Sequence, residues 1–394
     1  MTRLFLVAGE ASGDLLGAAL IAGLRQFCGD GLVVAGVGGP AMAAEGLASG
    51  FPMHELSVMG IAEVLPRLPN LLRRIRETGD AVAAMAPDAL VTIDSPDFSL
   101  RVARRARRLL PGLRTIHYVA PSVWAWRPGR AAKMAKVIDH VLALLPFEPP
   151  YMTAAGMTCD FVGHPVAAER QAGPEAVAAL RAELAIGPGQ PVLALLPGSR
   201  RGEVTRLAPV FGEVARRLRA RYPELAVIVP AAPSVVGLVD GLIRPDDAGW
   251  PHVLDPRGFA SPDWEARKRA AFAAADVALA ASGTVSLELA AAGTPMVIGY
   301  DANRLTAWVA RRLVKLDTAT LVNLVTGTRA VPEFVFEDCE PRRIAPAVER
   351  LLFDPDAAAA QRAVGDEAMR LLGRGGEPPG LRAARSVLRA IGRG

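Results

Sequence analysis

Short β-branched or leucine-rich runs alternate with segments of helical period along the whole chain, and this alternation limits the fold more than any other feature. In the first half, apolar runs of strand length lie at residues 4–8, 32–35, 89–93, 115–119 and 141–145. In the second half they recur at 192–196, 226–229, 277–280 and 296–298. Strands separated by helices form parallel βαβ units. We therefore predict an α/β protein with two doubly wound, Rossmann-like domains.

The length of 394 residues is too great for one hydrophobic core and fits two domains that face a cleft. The strand pattern restarts after residue 165, so we place an N-terminal domain at 1–165 and a C-terminal domain at 166–372. Residues 167–189, rich in Ala, Glu, Gly and Pro, predict a linker helix and a turn. The tail at 373–394 begins with Gly and Pro and continues as a basic helix over 381–391, which can cross back to the first domain.

Composition argues against several classes of protein. No apolar run is long enough to span a bilayer, and the first residues lack the basic start and cleavage site of a signal peptide, which predicts a cytoplasmic location. The cysteines, Cys28, Cys159 and Cys339, are odd in number and show no C-x-x-C spacing, so neither a disulfide framework nor a thiolate metal site is expected. The five histidines never fall four residues apart, as a helical metal-binding pair would. We predict no metal and no cofactor.

Basic residues are concentrated in one part of the chain. Between residues 64 and 136 there are 14 Lys and Arg against 5 Asp and Glu, although the whole chain has a net charge of only +5. Such an excess suits an anionic membrane, a phosphorylated substrate or nucleic acid. Nucleic acid is the weakest of these hypotheses, because aromatic residues make up only 5% of the chain and no zinc-finger or RNA-recognition signature occurs.

A strand, a glycine-containing turn and a helix follow one another at 195–203, which reads LLPGSRRGE. Backbone amides at the start of the predicted helix 204–221, beside Gly198, suit a phosphate group. Arg200 adds a permanent cation with a bidentate donor fork and Ser199 adds a hydroxyl, so a diphosphate can be held without a metal. The spacing differs from that of the P-loop. The alternative is an ordinary turn in which Ser199 caps the helix.

A second strand, turn and helix unit has Ser282, Gly283 and Thr284 at the helix start. We expect this turn to face the same crevice. Glu288, one turn into the helix, is then positioned to accept hydrogen bonds from the ribose hydroxyls of a nucleotide whose phosphates lie on the turn. The alternative is a solvent-facing glutamate, but two phosphate-type turns in one half favour a nucleotide site.

In the first half, the buried-type strand 89–93 ends at Asp94, at the edge where active groups of open α/β sheets gather. A carboxylate there can act as general base toward a sugar hydroxyl, and a purely structural role is the alternative. Asp97 suits the N-cap of a helix predicted at 98–110. Asp97 and His117 are the next candidates for the base if Asp94 does not serve.

Two of the five tryptophans lie in the loop segment HYVAPSVWAWR at 117–127, after a strand. A ring such as that of Trp126 can face a sugar, and Arg127 can hold an anion. The alternative is that these aromatic residues pack in the core or in a lid.

Two further patterns imitate known motifs. Residues 36–41 match G-x-G-x-x-A, but Pro40 lies within the turn and no clear strand ends in an acidic residue about 20 positions later, so an NAD-binding first domain is a weak alternative. The D-x-D pattern at Asp354 and Asp356 precedes an alanine run and predicts a helix start rather than a metal site.

Taken together, these segments resemble the lipid-A-disaccharide synthase family along nearly the whole chain. The resemblance is specific because a whole series of segments matches, and no single motif would be enough. The matching segments are VAGEASGD (7–14), GVGGP (36–40), VMGIAEVL (58–65), IDSPDF (93–98), HYVAPSVWAWR (117–127), LPFE (145–148), FVGHP (161–165), LLPGSRRGE (195–203) and ASGTVSLE (281–288).

The resemblance implies a two-domain GT-B fold and an inverting transfer of 2,3-diacylglucosamine from UDP to 2,3-diacylglucosamine 1-phosphate. The products would be the lipid A disaccharide 1-phosphate, joined by a β-1,6 bond, and UDP. The implied location is the inner face of the inner membrane of a Gram-negative bacterium. The expected partners are the two substrates and an anionic membrane surface, without nucleic acid. A homodimer is the oligomeric state considered.

The resemblance also implies roles for individual residues. Asp94 would be the catalytic base, Arg200 would belong to the donor diphosphate site, and Asn323 would be functionally important. The full set of predicted donor-binding residues is Gly198, Ser199, Arg200, Ser282, Gly283, Thr284, Glu288 and Asn323. The predicted residues of the acceptor side, or of other parts of the cleft, are Glu10, Ser12, Asp97, Trp126 and Arg127.

Three positions depart from the family pattern. Ala120 stands where serine is frequent, Val322 stands where a proline precedes the asparagine, and Asp301 stands where a basic residue is common. Arg304 is the candidate substitute for that basic residue.

The segment 58–76 has apolar residues among arginines. It fits either a helix at the membrane interface or an amphipathic core helix that Pro66 and Pro69 interrupt. An acyl substrate has to be drawn from a membrane, which favours the interfacial hypothesis. The apolar residues are Met59, Ile61, Val64, Leu65, Leu68, Leu71 and Leu72, and the basic ones are Arg67, Arg73, Arg74 and Arg76.

Two other functions would use some of the same features. A UDP-sugar epimerase of similar architecture would use the nucleotide half but bind no lipid acceptor. A nucleotide-sensing or lipid-binding module would need no turnover, and the paired phosphate turns together with Asp94 argue against it.

Overall fold

The computed structural model describes residues 1–56, 61–127, 129–243, 250–302 and 317–393, without the side chains of 61–67. The chain divides into two compact units, Met1–Ala168 with Gly375–Gly394, and Glu169–Arg374. Each unit contains a six-stranded sheet in which every pair of neighbouring strands is parallel. The prediction of two doubly wound α/β domains is confirmed.

The first sheet has the strand order β2-β1-β3-β4-β5-β6, so the chain runs outward from β1 to β2 and then returns past β1 to β3. Its strands are β1 (Thr2–Ala8), β2 (Leu32–Val37), β3 (Ala89–Ile93), β4 (Arg114–Tyr118), β5 (His140–Ala143) and β6 (Thr158–Phe161). The helices of this unit are α1 (Ala11–Cys28), α2 (Pro40–Ala44), α3 (Ile61–Met85), α4 (Pro96–Leu109), α5 (Gly129–Met134), α6 (Pro149–Thr153) and a C-terminal helix (Pro379–Ala390).

The second sheet has the order β12-β11-β10-β7-β8-β9, and its strand order reverses between β7 and β10. Its strands are β7 (Val192–Leu196), β8 (Ala226–Pro230), β9 (His252–Leu254), β10 (Val277–Ala281), β11 (Met296–Tyr300) and β12 (Glu333–Val335). Its helices are α7 (Pro174–Glu183), α8 (Arg201–Arg221), α9 (Val236–Ile243), α10 (Ser261–Ala274), α11 (Val285–Ala291), α12 (Leu321–Thr326), α13 (Pro341–Phe353) and α14 (Pro355–Leu371).

The extent to which a strand is buried explains whether it could be predicted from the sequence. Every residue of β3, β7, β8 and β10 is buried, and these strands read as apolar runs, which only Thr92 of β3 interrupts. The strands that the sequence analysis did not predict, β6, β9 and β12, have three or four residues each, lie at sheet edges and are partly exposed. A short, partly exposed edge strand needs no apolar run, so it leaves no clear pattern.

The helix α3 corrects one expectation. It runs continuously from Ile61 to Met85, so Pro66 and Pro69 do not interrupt it. Each proline removes one backbone hydrogen bond, a cost that packing of the helix can offset. Leu71 and Ile75 pack against the core of the first unit. None of the helices in the described ranges combines the length and apolar character that crossing a bilayer requires.

The C-terminal helix packs on α1 through two glycines. A Cβ atom at Gly23 would lie 2.6 Å from the carbonyl oxygen of Gly380, and one at Gly380 would lie 2.5 Å from the carbonyl oxygen of Ala19. Ala384 and Val387 of the C-terminal helix are fully buried beside this crossing. The two backbones approach so closely because neither glycine has a side chain.

Replacing Gly23 by alanine is therefore expected to destabilise the protein by about 1 to 3 kcal/mol, because the new methyl group would meet backbone rather than a flexible side chain. Gly212→Ala in α8 is the matched control, since a Cβ atom there would have its closest contact at 3.9 Å, with the Cα atom of Ile243. Alanine has the higher helix propensity, so the control should gain up to about 1 kcal/mol. Urea denaturation followed by circular dichroism measures both, and equal changes in the two variants would contradict the close crossing.

Candidate functional site

A cavity of about 450 Å³ lies at the point where the strand order of the second sheet reverses. Its walls include the segments that follow β7 and β10, which are neighbouring parallel strands. Ligands of open α/β sheets bind at such switch points, beyond the carboxyl ends of the strands. The cavity brings together seven of the eight predicted donor residues: Gly198, Ser199, Arg200, Ser282, Gly283, Thr284 and Glu288.

The turn after β7 needs a glycine. Gly198 has φ +112°, and a Cβ atom there would lie 2.7 Å from Oε2 of Glu203. Arg200 is the N-cap residue of α8, which begins at Arg201, and no side chain caps the helix. The capping role considered for Ser199 is therefore wrong. Helix α8 is 21 residues long, and its first turn offers backbone amides to an anion beside the cavity.

Arg200 is an exposed cation at this turn. Its side chain is 68% exposed, and its Nη1 atom lies 3.1 Å from Oε1 of Glu203. An ion pair so open to solvent contributes little to stability. The guanidinium can therefore turn toward an anion in the cavity without a large cost to the fold.

The turn after β10 is held by its own hydrogen bonds. The Ser282 hydroxyl donates to the carbonyl oxygen of Ala319 at 2.8 Å, and the Ser286 hydroxyl donates to that of Gly283 at 2.8 Å. Thr284 is the N-cap residue of α11, which has only seven residues. The amides of the much longer α8 are therefore the stronger of the two helix starts toward a phosphate.

Glu288 lies on α11 and does not simply face solvent, because its Oε2 atom is 2.8 Å from Nζ of Lys268. Lys268 comes from α10 and lines the same cavity. The sequence analysis missed this lysine. Its partner is 20 positions away on another helix, and no local pattern reports such a pairing.

Asn323 is the predicted donor residue that does not line the cavity. It is fully buried, and its amide nitrogen donates to the carbonyl oxygen of Val331 and to Oε1 of Glu333, both at 3.0 Å. Glu333 also accepts hydrogen bonds from Ala319 and Thr320. Asn323 thus helps to hold the segment whose Ala319 carbonyl anchors Ser282.

Ala120, Val322 and Asp301, the residues that depart from the family pattern, show burial or a local hydrogen bond. Ala120 and Val322 are buried in the described structure. The Asp301 carboxylate accepts a hydrogen bond from the backbone N–H of Ala302 at 2.8 Å. Arg304 lies outside the described residues.

In the first unit, the strand order reverses between β1 and β3, and the residues after these strands meet. The Ser95 hydroxyl lies 3.5 Å from Oε1 of Glu10, and a Cβ atom at Gly9 would lie 2.5 Å from that hydroxyl oxygen. Ser12 is exposed in the first turn of α1. Predicted acceptor-side residues therefore lie around the switch point of this sheet, beside Asp94.

Asp94 is held in a strained turn. Asp94 and Ser95 have φ of +51° and +44°, a left-handed conformation that costs residues other than glycine about 1 to 3 kcal/mol each. The Asp94 carboxylate accepts from the backbone N–H of Ser95 at 2.8 Å, and the Asp94 N–H donates to the carbonyl oxygen of Tyr118 at 3.0 Å. The Ser99 hydroxyl donates to the Asp94 carbonyl oxygen at 2.7 Å. Such strain clusters at functional sites.

Asp97 and His117, the two alternative candidates for the base, do not have the environments expected of them. Asp97 lies in the first turn of α4, where Ser95 is the N-cap residue, so the N-cap interpretation of Asp97 is wrong; Pro96 starts the helix earlier. His117 is 1% exposed, and its Nδ1 atom lies 2.8 Å from the Thr92 hydroxyl oxygen. Burial lowers the pKa of His117 to about 4. A neutral ring enclosed in β4 is poorly placed to take a proton from a substrate.

The tryptophans of the loop after β4 have different environments. Trp126 is 39% exposed, and the guanidinium of Arg127 lies 4.1 Å from its ring centroid. Trp124 instead packs edge-to-face on Phe147, with ring centroids 5.2 Å apart. Core packing therefore applies to Trp124, whereas Trp126 offers its ring to solvent or to a ligand.

Glu148 anchors this loop, a role that the sequence analysis missed. Glu148 is 4% exposed, and its carboxylate accepts from the backbone N–H groups of Leu144 and Leu145, at 3.2 and 3.0 Å, and from Nε1 of Trp124 at 3.3 Å. Burial raises the pKa of Glu148 to about 7. The only signal in the sequence was the segment LPFE at 145–148.

The helix start that imitates an NAD fingerprint is already occupied. The Asp14 carboxylate accepts from the backbone N–H groups of Gly39, Ala41 and Met42 at 2.8, 2.8 and 3.0 Å. These amides are therefore not available to a pyrophosphate, which removes the NAD hypothesis.

The D-x-D pattern is a helix start, as predicted, since the Asp354 side chain caps α14 by accepting from the N–H groups of Asp356 and Ala357. In the described part of the chain, no three His, Cys, Asp or Glu side chains are grouped so that they could hold a metal ion.

Two six-stranded parallel sheets with polar residues at their switch points are typical of the GT-B class of α/β proteins, and the structural neighbours place the chain in that fold class. Solved structures share this fold. A UDP-GlcNAc 2-epimerase from Neisseria meningitidis bound to UDP-GlcNAc matches with a TM-score of 0.63 at 11% identity, over 100% of both chains. The S. aureus MnaA-UDP structure matches with a TM-score of 0.65 at 12% identity, over 98% of this chain and 95% of that one. Identity this low shows the fold alone and does not favour an epimerase.

Sequence relatives define the family. A family model described as lipid-A-disaccharide synthetase matches residues 4–377. The lipid-A-disaccharide synthase of Ruegeria pomeroyi is 61% identical, over 98% of this chain and 95% of the relative. That of Rhodospirillum centenum is 48% identical, over 98% and 94%. The chain belongs to the lipid-A-disaccharide synthetase family. It is thus a glycosyltransferase that forms the lipid A disaccharide from a sugar nucleotide and an acceptor.

Glu148→Gln tests the anchor of the tryptophan loop through its pH dependence. Because the pKa of Glu148 is raised from 4.5 to about 7, the folded state binds this proton more tightly than the unfolded state does. The stability contributed by the group is then full at acidic pH and is lost as the pH rises through 7. Glutamine does not titrate, so the variant should gain about 1 to 3 kcal/mol relative to the wild type between about pH 5 and about pH 8. Chemical denaturation at both pH values measures the gain. A stability difference between variant and wild type that is the same at both pH values would contradict the raised pKa of Glu148.

Proposed function

We propose that the chain is an inverting glycosyltransferase that moves 2,3-diacylglucosamine from UDP to 2,3-diacylglucosamine 1-phosphate. Its products are the lipid A disaccharide 1-phosphate and UDP. The main support is the cavity of about 450 Å³ around the predicted donor residues, in a chain of the lipid-A-disaccharide synthetase family. A cavity of this size is in the range that small ligands and cofactors occupy.

In this proposal the UDP diphosphate binds at the start of α8. The backbone amides of its first turn and the Arg200 guanidinium bind the phosphate oxygens, and the Glu288 carboxylate accepts from the ribose hydroxyls. The amides and the Arg200 guanidinium also stabilise the negative charge that develops on the diphosphate as it leaves.

Asp94 acts as the general base. It takes the proton of the acceptor 6-hydroxyl, directly or through a water molecule, while the oxygen attacks the anomeric carbon on the face opposite UDP. The bond between the anomeric carbon and the UDP oxygen breaks, and its electron pair leaves with UDP. Attack from the opposite face inverts the configuration. The support for Asp94 is its position at the carboxyl end of β3, in a left-handed backbone conformation that it shares with Ser95.

The membrane part of the proposal rests on the outer face of α3. Leu68 and Leu72 are 38% and 41% exposed and lie four residues apart, with Arg73 beside them. Leu71 and Ile75 pack against the core, as the core-helix hypothesis expects. The interfacial hypothesis therefore concerns the opposite, exposed face of the same helix. Met59 and the side chains of Ile61, Val64 and Leu65 are outside the description.

We therefore infer a peripheral location at the inner face of the inner membrane of a Gram-negative bacterium. The partner is an anionic membrane surface rather than nucleic acid. The proposal includes a homodimer as the oligomeric state, which sedimentation of the purified chain tests.

Arg200→Ala is expected to weaken UDP binding roughly ten-fold or more, because a charge-assisted contact is worth about 1.5 to 3 kcal/mol. Arg216→Ala is the matched control, since Arg216 also pairs with a glutamate three residues away on α8, at 3.0 Å from Glu213, but does not line the cavity. Isothermal calorimetry with UDP measures both. Equal affinity in the two variants would remove the donor site from the start of α8.

Asp94→Asn is expected to lower the transfer rate by about 10²-fold to 10⁴-fold, because the amide cannot take a proton. Asparagine keeps an oxygen for the Ser95 N–H and tolerates the left-handed backbone, so the fold should remain. UDP affinity should be nearly unchanged, since Asp94 lies in the other compact unit from the cavity.

Asp97→Asn is the control for that experiment, because Asp97 is exposed in the adjacent helical turn and should retain most activity as asparagine. A thermal melt of each variant separates loss of the base from loss of structure. Transfer by Asp94→Asn at the wild-type rate would show that the base lies elsewhere.

Replacing Leu68 and Leu72 together by glutamine should reduce flotation with vesicles that contain anionic lipid about ten-fold or more. The substitution removes apolar area without changing charge, and each buried leucine is worth about 1.5 to 3 kcal/mol. Leu109→Gln is the control, because Leu109 is another exposed leucine, on α4, that is 46% exposed. Undiminished flotation of the double variant would rule out the outer face of α3 as the membrane contact.

A further inference from the structure

Lys268 is a charged residue of the donor cavity to which the proposed reaction gives no role. Its Nζ atom lies 2.8 Å from Oε2 of Glu288 and 2.8 Å from Oε2 of Glu265. The lysine side chain is only 22% exposed and its ammonium group is 5.9 Å from the centroid of the Phe272 ring. All four residues line the same cavity.

Other carboxylates lie near Glu288 on this side, and Arg269 is a further cation close to Glu169. Glu169 is close enough that the charge of Glu288, after burial, raises the pKa of Glu169. Burial opposes a charge on Lys268, but its attraction to Glu288 and Glu265 outweighs that cost and raises the pKa of Lys268. The lysine is therefore a permanent cation at neutral pH, and it offsets the repulsion among the carboxylates.

The contact also fixes the direction of the Glu288 side chain. A glutamate has three side-chain torsions, and an unpaired one on a seven-residue helix would sample several orientations. A charge-assisted bond to Oε2 restricts these torsions. A carboxylate oxygen held in a fixed direction accepts hydrogen bonds, and hydroxyl groups are the donors that a ribose offers.

We propose that Lys268 is a positioning residue for the nucleotide: by holding Oε2 of Glu288, it directs the other carboxylate oxygen to the ribose hydroxyls and thereby selects ribonucleotides. The inference rests on the proposed function, because it assumes that UDP occupies this cavity. A site that is built to bond a hydroxyl group rejects an analogue without it, since the site's own polar group is then left unpaired.

The test is isothermal calorimetry of the full-length protein with UDP, 2′-deoxy-UDP and 3′-deoxy-UDP. The wild type should prefer UDP to at least one deoxy analogue by about ten-fold or more. Lys268→Met and Glu288→Ala should each bring that ratio close to one, and the double variant should be no less selective than either single variant. Lys268→Arg should restore most of the preference, because it keeps the charge and the donor groups.

Arg200→Ala is the comparison variant for this experiment. It removes a contact to the phosphates, so it should weaken all three ligands alike and leave the ratio unchanged. Thermal melts accompany each variant, and Lys268→Gln replaces Lys268→Met if the methionine variant does not fold.

The outcomes separate this inference from the proposed function. A wild type that does not bind UDP would overturn both. Loss of selectivity in Glu288→Ala but not in Lys268→Met would overturn the role of Lys268 and leave the donor site standing. Equal weakening of all three ligands by Lys268→Met would also overturn it, because the lysine would then act on the phosphates or on the fold.

Discussion

A parallel sheet whose chain leaves its central strands in opposite directions opens a space beyond the carboxyl ends of two neighbouring strands. This constraint determines where the chemistry of the protein lies. In the second sheet the space falls between β7 and β10, and in the first sheet it falls between β1 and β3. The residues that follow these four strands include nearly all of the predicted functional side chains.

The two units use the same topology for different chemistry. After β7, the turn has a glycine at positive φ, an exposed arginine and a long helix whose first-turn amides can bind an anion. After β3, two successive residues other than glycine adopt positive φ and hold the Asp94 carboxylate at the strand end. The corresponding helix start after β2 is filled by the protein's own Asp14. One unit is thus suited to a diphosphate, and the other presents a carboxylate.

Much of this arrangement could be predicted from sequence, because it depends on local order along the chain. Buried central strands such as β3 and β7 read as apolar runs, and the turns after them contain the glycines and polar residues of a site. Their meeting at one sheet edge follows from parallel pairing alone. The edge strands β6, β9 and β12 escaped because partial exposure leaves no apolar run.

What could not be predicted depends on partners far apart in the chain. Lys268 on α10 forms an ion pair with Glu288 on α11. Glu148, which follows β5, accepts a hydrogen bond from Trp124 in the loop after β4. Asn323 is buried and does not line the cavity itself. Its hydrogen bonds hold the segment that contacts Ser282. The helix starts were also displaced by a few residues, since Ser95 and Arg200 rather than Asp97 and Ser199 occupy the N-cap positions.

The central claim is that this chain joins two acylated glucosamines at the expense of a UDP bond, with inversion at the anomeric carbon. The most direct measurement is incubation of the full-length protein with UDP-2,3-diacylglucosamine, in the presence and absence of 2,3-diacylglucosamine 1-phosphate, followed by mass spectrometry and proton NMR of the products. The account predicts UDP release only when the acceptor is present, together with a disaccharide 1-phosphate whose new linkage has the β configuration. UDP release without acceptor, a free or epimerised sugar as the product, or an α linkage would contradict it.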